Sequence, residues 1–263
     1  MSLAQHLREL RYRLLVSAAA FAVAVVAAYV LWEPIFDFLR QPYCGTTRGA
    51  KSCDLYALGI FDQFTVRMRV ALIGGAVLSS PVWVFHLGRF LTPALHRNER
   101  RYALGFMAAG LVLFSAGVAM AYFTVARGLD LFLSIGGDSV VPLVTVQSYL
   151  GFVTVMMLGF GAAFQFPLVV MFLNVTGALS ADRMRSSRRV VIFGTFVVTS
   201  ILVPTTDPFT FLAMAVPLVV LYEVCIVIAR VRERRSSSRT RELDAFEAEL
   251  AAQAGLVDLS SHL

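Results

Sequence analysis

Two carboxylates stand among arginines in this chain, Glu9 within His6-Leu7-Arg8-Glu9-Leu10-Arg11-Tyr12-Arg13 and Glu99 within His96-Arg97-Asn98-Glu99-Arg100-Arg101. Taken singly, Glu9 reads as a solvated carboxylate paired one helical turn away with Arg13. Glu99 reads as a first-turn carboxylate that favours the amino end of the following helix. Taken together, the ends of two helices each present one carboxylate amid guanidinium groups. Other chemistry is scarce. The four histidines, His6, His86, His96 and His262, lack metal-ligand spacing, and neither H-E-x-x-H nor G-x-S-x-G occurs. The single lysine, Lys51, lies in a polar loop, so no glycine-rich phosphate loop ending in lysine can form.

The remaining polar residues interrupt apolar runs. Gln165 lies two residues before Pro167. It either satisfies a carbonyl that the proline frees or lines a wet or peptide-occupied groove, because polar groups at membrane depth usually face the protein interior. Glu223 lies two turns before Arg230 and either snorkels to nearby cations or faces the same groove. Asp207, between Pro204 and Pro208, reads as part of a tight turn. Cys44 and Cys53 share one loop, where an oxidising compartment permits a disulfide; Cys225 reads as a small apolar packing residue.

The elements that position these residues are membrane helices. Of 263 residues, 58% are hydrophobic and 15% charged, beyond the range of an ordinary soluble domain. A crossing needs roughly 20 apolar residues. The apolar runs predict an all-α integral membrane protein with six spans at about 14–32, 64–87, 102–125, 148–174, 190–203 and 209–229. Residues 1–230 form the membrane domain and 231–263 a charged tail in which 241–252 could form a helix. The fifth span is short, at about 21 Å of helix, and the sixth is shortened by Glu223. Leucines 3, 7, 10 and 14 form a helical stripe, which predicts a short amphipathic helix leading into the first span. The stretch from Glu33 to Asp62 and that after Val125 read as outer loops. The first apolar run is full length and lacks a small-residue cleavage site, so it is expected to remain as a span.

The net charge of +6 could suggest nucleic acid, but the arginines fall in the gaps between apolar runs. The amino terminus, the loops after the second and fourth spans and the tail hold 17 of the 23 Lys and Arg, so the positive-inside rule puts both termini in the cytoplasm. No internal repeat of the kind that builds many secondary transporters is evident.

These motifs combine into a resemblance. The run His6-Leu7-x-Glu9-Leu10-Arg11-x-Arg13-Leu14, Ser80-Pro81 followed by Phe90-Leu91-Thr92-Pro93-Ala94-Leu95 and Glu99-Arg100-Arg101, Phe164-Gln165-x-Pro167, and Pro204-x-x-Asp207 with Pro217 and Glu223 resemble TatC. TatC is the multispanning receptor subunit of the twin-arginine protein translocase of the cytoplasmic membrane. The resemblance covers nearly all of residues 3–230.

It implies that Glu9 and Glu99, with Arg13 and Phe90 beside them, receive the two consecutive arginines of a folded cargo's signal peptide. A carboxylate accepts a bidentate guanidinium, whereas an ammonium offers only a point charge, so two such sites can discriminate twin arginine from twin lysine. Charge-assisted bonds contribute about 1.5–3 kcal/mol each, while micromolar binding requires about 8 kcal/mol. The remainder is assigned to the peptide's apolar segment along a groove near Gln165, Glu223 and Asp207. Pro42, Pro81 and Pro167 fall at structural positions. Gln165 departs from the glutamate common in relatives and cannot titrate, so a proton relay there is not expected. The resemblance also implies single-span TatA and TatB-type partners, a homo-oligomer of receptor complexes, use of the proton-motive force, and no cofactor. The alternative from another class is an ion-coupled secondary transporter of a small acidic solute.

Overall fold

The computed structural model describes residues 3–46, 53–91, 100–135, 143–203 and 208–261. Within these segments it is built of helices joined by turns and short irregular stretches, with one isolated bridge between Tyr56 and Thr145. The helices are α1 (Leu3–Val30), α2 (Trp32–Cys44), α3 (Asp62–Leu78), α4 (Ser80–Leu91), α5 (Arg100–Ile135), α6 (Val146–Ala163), α7 (Phe166–Val175), α8 (Ala181–Ser186), α9 (Arg188–Leu202) and α10 (Pro208–Ser261). Four of them contain segments long and apolar enough to cross a membrane, 8–30, 104–131, 146–175 (α6 continued by α7) and 208–235. The pair α3 and α4 makes a fifth candidate, bent by 47° at its break.

Proline and glycine set these shapes. Pro81 sits in the first turn of α4 and Pro167 in that of α7, where a missing N–H costs least. At the α3–α4 bend the Ala76 carbonyl accepts from Ser79 Oγ (3.3 Å) and from the Trp83 indole (3.3 Å). Pro42 stands near the end of α2 and cannot donate to the Phe38 carbonyl; the Tyr122 hydroxyl of α5 does so instead (3.2 Å). Close helix approach rests on glycine. A Cβ on Gly75 would meet Val25 Cγ2 at 2.5 Å, and one on Gly117 would meet the Phe160 carbonyl oxygen at 2.6 Å.

The main core lies where α3, α5 and α6 meet, around Val70, Ile73, Ala121, Leu150, Met156 and Phe160. A second cluster joins α7, α8 and α10 through Val170, Met184, Tyr222, Cys225 and Ile226. The face of α1 away from α3 and α4 is exposed at Leu15, Val23, Val26 and Val30, as a lipid-facing helix would be.

Several local expectations change. Residues 32–44 are helical, not a loop, because the stretch is amphipathic and packs Leu39 and Tyr43 into the core. Helix α5 continues to Ile135, ten residues past the expected end, burying Leu129 and Leu133. No short amino-terminal helix stands apart, since nothing between residues 3 and 30 ends a helix and α1 is continuous. The last apolar helix is not shortened at Glu223 but runs through it within a 28-residue apolar segment, and α10 carries on into the tail.

The end of the bundle carrying residues 44–46 and 53–62 is tied down covalently and by hydrogen bonds. Cys44 and Cys53 form a disulfide. Tyr56 N donates to the Val144 carbonyl (3.2 Å) and Val146 N to the Tyr56 carbonyl (3.0 Å). Asp62 accepts from the backbone N–H of Leu58 and Gly59 and from Gln147 Nε2, while Arg69 Nη1 donates to the Gln147 carbonyl. Burial, with Tyr56 and Asp54 nearby, pushes the Tyr43 phenol above the ordinary tyrosine range.

Candidate functional site

Glu9 lies on α1, whose continuous helix puts Arg13 one turn ahead on the same face. Arg13 Nε donates to Glu9 Oε1 at 3.2 Å and Arg13 Nη2 reaches the same oxygen. Both side chains are largely shielded, with 11% of Arg13 and 28% of Glu9 exposed. The geometry holds one carboxylate in a fixed rotamer against a guanidinium.

Helices α1 and α3 run antiparallel, since Gly74 lies against Ala28 and Gly75 against Val25. Helix α4 continues in that direction and packs on α1 and α5. Its final turn, which contains Phe90, is therefore carried toward the amino end of α1, where Glu9 stands. Glu99 and Asp207 lie outside the described residues.

Gln165 occupies the break between α6 and α7 and is buried, 7% exposed. Its Nε2 donates to the Gly110 carbonyl of α5 at 2.9 Å, so it serves a neighbouring helix and not the carbonyl released by Pro167. Its Oε1 is buried and has no hydrogen-bond donor among the described residues. Glu223 forms an ion pair with Arg188 Nε at the start of α9, not with Arg230. Within the same turn of α10, the Tyr222 hydroxyl donates to the Met184 carbonyl of α8 (2.8 Å), and Cys225 Sγ faces the Pro167 carbonyl (3.6 Å). Gln165 thus faces α5 and Glu223 the α9–α10 contact.

Sequence reasoning missed one polar centre. Asn174, 4% exposed at the end of α7, donates through Nδ2 to the Leu179 carbonyl (2.9 Å) and to Glu233 Oε1 (2.8 Å), and accepts from Arg232 Nη1 (3.2 Å). The same Glu233 oxygen accepts from the Ala181 N–H (2.8 Å), which fixes the start of α8. An asparagine at the boundary of an apolar run and a carboxylate inside an arginine-rich tail were the available signals.

The family profile of "Sec-independent protein translocase protein (TatC)" matches residues 5–217. The chain belongs to the TatC family. It is 43% identical over 248 residues to the TatC of Frankia casuarinae, covering 91% of this chain and 68% of that protein. It is 31% identical over 238 residues to the TatC of Aquifex aeolicus, covering 89% and 97%. Against the TatC of Corynebacterium kroppenstedtii the figures are 32% over 270 residues, 94% of this chain and 65% of that protein, so the chain spans less than two thirds of that relative's length. The fold is similar to a crystal structure described as the twin arginine translocase receptor TatC in DDM, with a TM-score of 0.75 and 30% identity over 85% of this chain and 99% of that one. TatC membership makes this chain a multi-pass membrane component of protein transport and not an enzyme, which decides against the solute-transporter alternative.

Proposed function

We propose that this TatC chain is the receptor subunit that binds twin-arginine signal peptides of folded proteins for export across the cytoplasmic membrane. The observation that carries the reading is the family match across residues 5–217, and the shielded Glu9 carboxylate held by Arg13 supports a place for it in the site. Glu9 and Glu99 each receive one guanidinium, with Arg13 orienting Glu9 and Phe90 beside them. The apolar segment of the signal peptide lies along the groove bordered by Gln165, Glu223 and Asp207. Single-span TatA and TatB-type subunits are the partners, in a homo-oligomer of receptor complexes.

The topology that goes with this reading has six crossings and both termini in the cytoplasm. The arginine bias supports it, as does the disulfide between Cys44 and Cys53, a bond that persists in oxidising compartments. Helix α9 makes the fifth crossing. Its 15 residues span only about 22 Å, which thins the bilayer locally or favours partner helices.

A signal peptide carrying a photoreactive group next to its arginine pair tests the assigned site. Adducts mapping to residues 1–20 and 85–104 are expected. Adducts confined to residues 146–229 would contradict it.

A further inference from the structure

We infer that the turn leading into α3 is an apolar wedge seated in the lipid leaflet at that end of the bundle, where it anchors the start of the helix. Seven consecutive residues, Leu55-Tyr56-Ala57-Leu58-Gly59-Ile60-Phe61, carry no charge. They are too few to cross a bilayer. The large side chains of the turn nevertheless point outward, with exposures from 62% for Phe64 to 96% for Ile60, and Leu58 and Phe61 between them. Turns that face water are normally built from polar residues, and an exposed apolar patch of this kind marks an interaction surface.

Lipid is the occupant that the surroundings fit. Asp62 opens α3 and accepts from Gln147 Nε2 in the first turn of α6 (2.6 Å), so the turn stands at the level where two membrane-crossing segments begin. Just inside that level the Arg67 guanidinium lies over the Trp32 ring, 4.3 Å from its centroid, a pairing of the kind that sits at a membrane–water boundary. The patch is continued along α3 by Phe64, Met68 and Leu72, four residues apart on one face, of which Phe64 and Leu72 are exposed. The backbone is also prepared for a medium without water. Asp62 Oδ2 accepts from the Leu58 and Gly59 N–H groups, the Gly59 carbonyl from the Asp62 N–H and the Phe61 carbonyl from the Thr65 N–H, while Tyr56 uses both its N–H and its carbonyl in the bridge to 144–146. A tip as bare as Ile60 suits acyl chains and headgroups, which close around any shape, whereas a protein partner would need a pocket moulded to it.

The full chain, with the photoreactive residue p-benzoylphenylalanine in place of Ile60 or Phe61, tests this when irradiated in phosphatidylcholine vesicles and analysed by adduct mass. Both side chains touch little of the protein, so the substitutions leave its packing intact. Phospholipid adducts at both positions should match to within about twofold those formed from Leu72 on α3, and exceed by at least about fivefold those formed from Asp54, the exposed carboxylate before the uncharged run. Lipid adducts at 60 and 61 no more frequent than at 54 would overturn the assignment. So would adducts that join two copies of the chain, which mark a protein contact. Anchoring is read separately, in vesicles, from the combined variant Leu58→Ser, Ile60→Ser and Phe61→Ser. Amide exchange across 62–66 should accelerate by at least about threefold in it, and unchanged exchange would overturn that role.

Discussion

Arg13 grips Glu9 from one helical turn away, two of its nitrogens converging on a single carboxylate oxygen. The pair shows in miniature the chemistry assigned to the site, a guanidinium on a carboxylate, and it fixes the orientation of Glu9 before any ligand arrives. Preorganisation of this kind reduces the ordering cost of binding.

The ion pair of Glu223 with Arg188 joins α9 to α10, but 33% of Glu223 and 54% of Arg188 are exposed, so solvent screens it. A double-mutant cycle with Glu223→Gln and Arg188→Gln, read by thermal unfolding in detergent, should give a coupling of about 0.5–1 kcal/mol. Strict additivity of the two changes would show that the pair does not hold α9.

Helix contact through glycine predicts opposite outcomes at two sites. Gly117→Ala pushes a methyl against the Phe160 backbone and should destabilise by about 1–3 kcal/mol. Gly159→Ala meets nothing within 4 Å and should stabilise by about 0.5–1 kcal/mol through helix propensity. Equal melting temperatures for the two variants would refute the packing assignment.

The Cys44–Cys53 bond closes a short loop of sequence separation 9. Denatured, unreduced protein should titrate as one thiol, from Cys225, and as three after reduction. Replacing both bridged cysteines by serine should cost about 2–3 kcal/mol by loop entropy. Three thiols without reduction would contradict the bridge.

Asn174→Ala removes bonds to Leu179, Glu233 and Arg232 together and should cost about 2–4 kcal/mol. Because Glu233 also holds the Ala181 N–H, amide exchange across 181–186 should accelerate. Unchanged exchange there would show that α8 stands without this cluster.

Much of the fold was legible because membrane helices write their length and polarity directly into apolar runs. Pro167 likewise pointed to an interruption, which the structure shows as the α6–α7 break, whereas Pro42 and Pro81 read only as structural positions and stand near the α2 end and at the α4 start. What escaped was tertiary. Residues 32–44 look polar in one dimension, yet their apolar face meets the core and Tyr122 supplies the donor that Pro42 lacks. Glu223 looked like a span terminator because its partner, Arg188, lies on another helix. Gln165 stood out as a polar residue in an apolar run, but its partner, the Gly110 carbonyl, is 55 residues away and no local pattern points to it. The two carboxylates of the proposed site were visible as residue types among arginines, and the joint role proposed for them rests on the resemblance to the family motif.

The central claim is that Glu9 and Glu99 read a pair of arginines. The direct measurement is the affinity of the purified chain in detergent for a twin-arginine signal peptide and for its twin-lysine variant. The account predicts a preference for arginine of at least about tenfold, lost when Glu9→Ala and Glu99→Ala are combined. Equal affinity for the two peptides, or a preference that persists in the double variant, would contradict it.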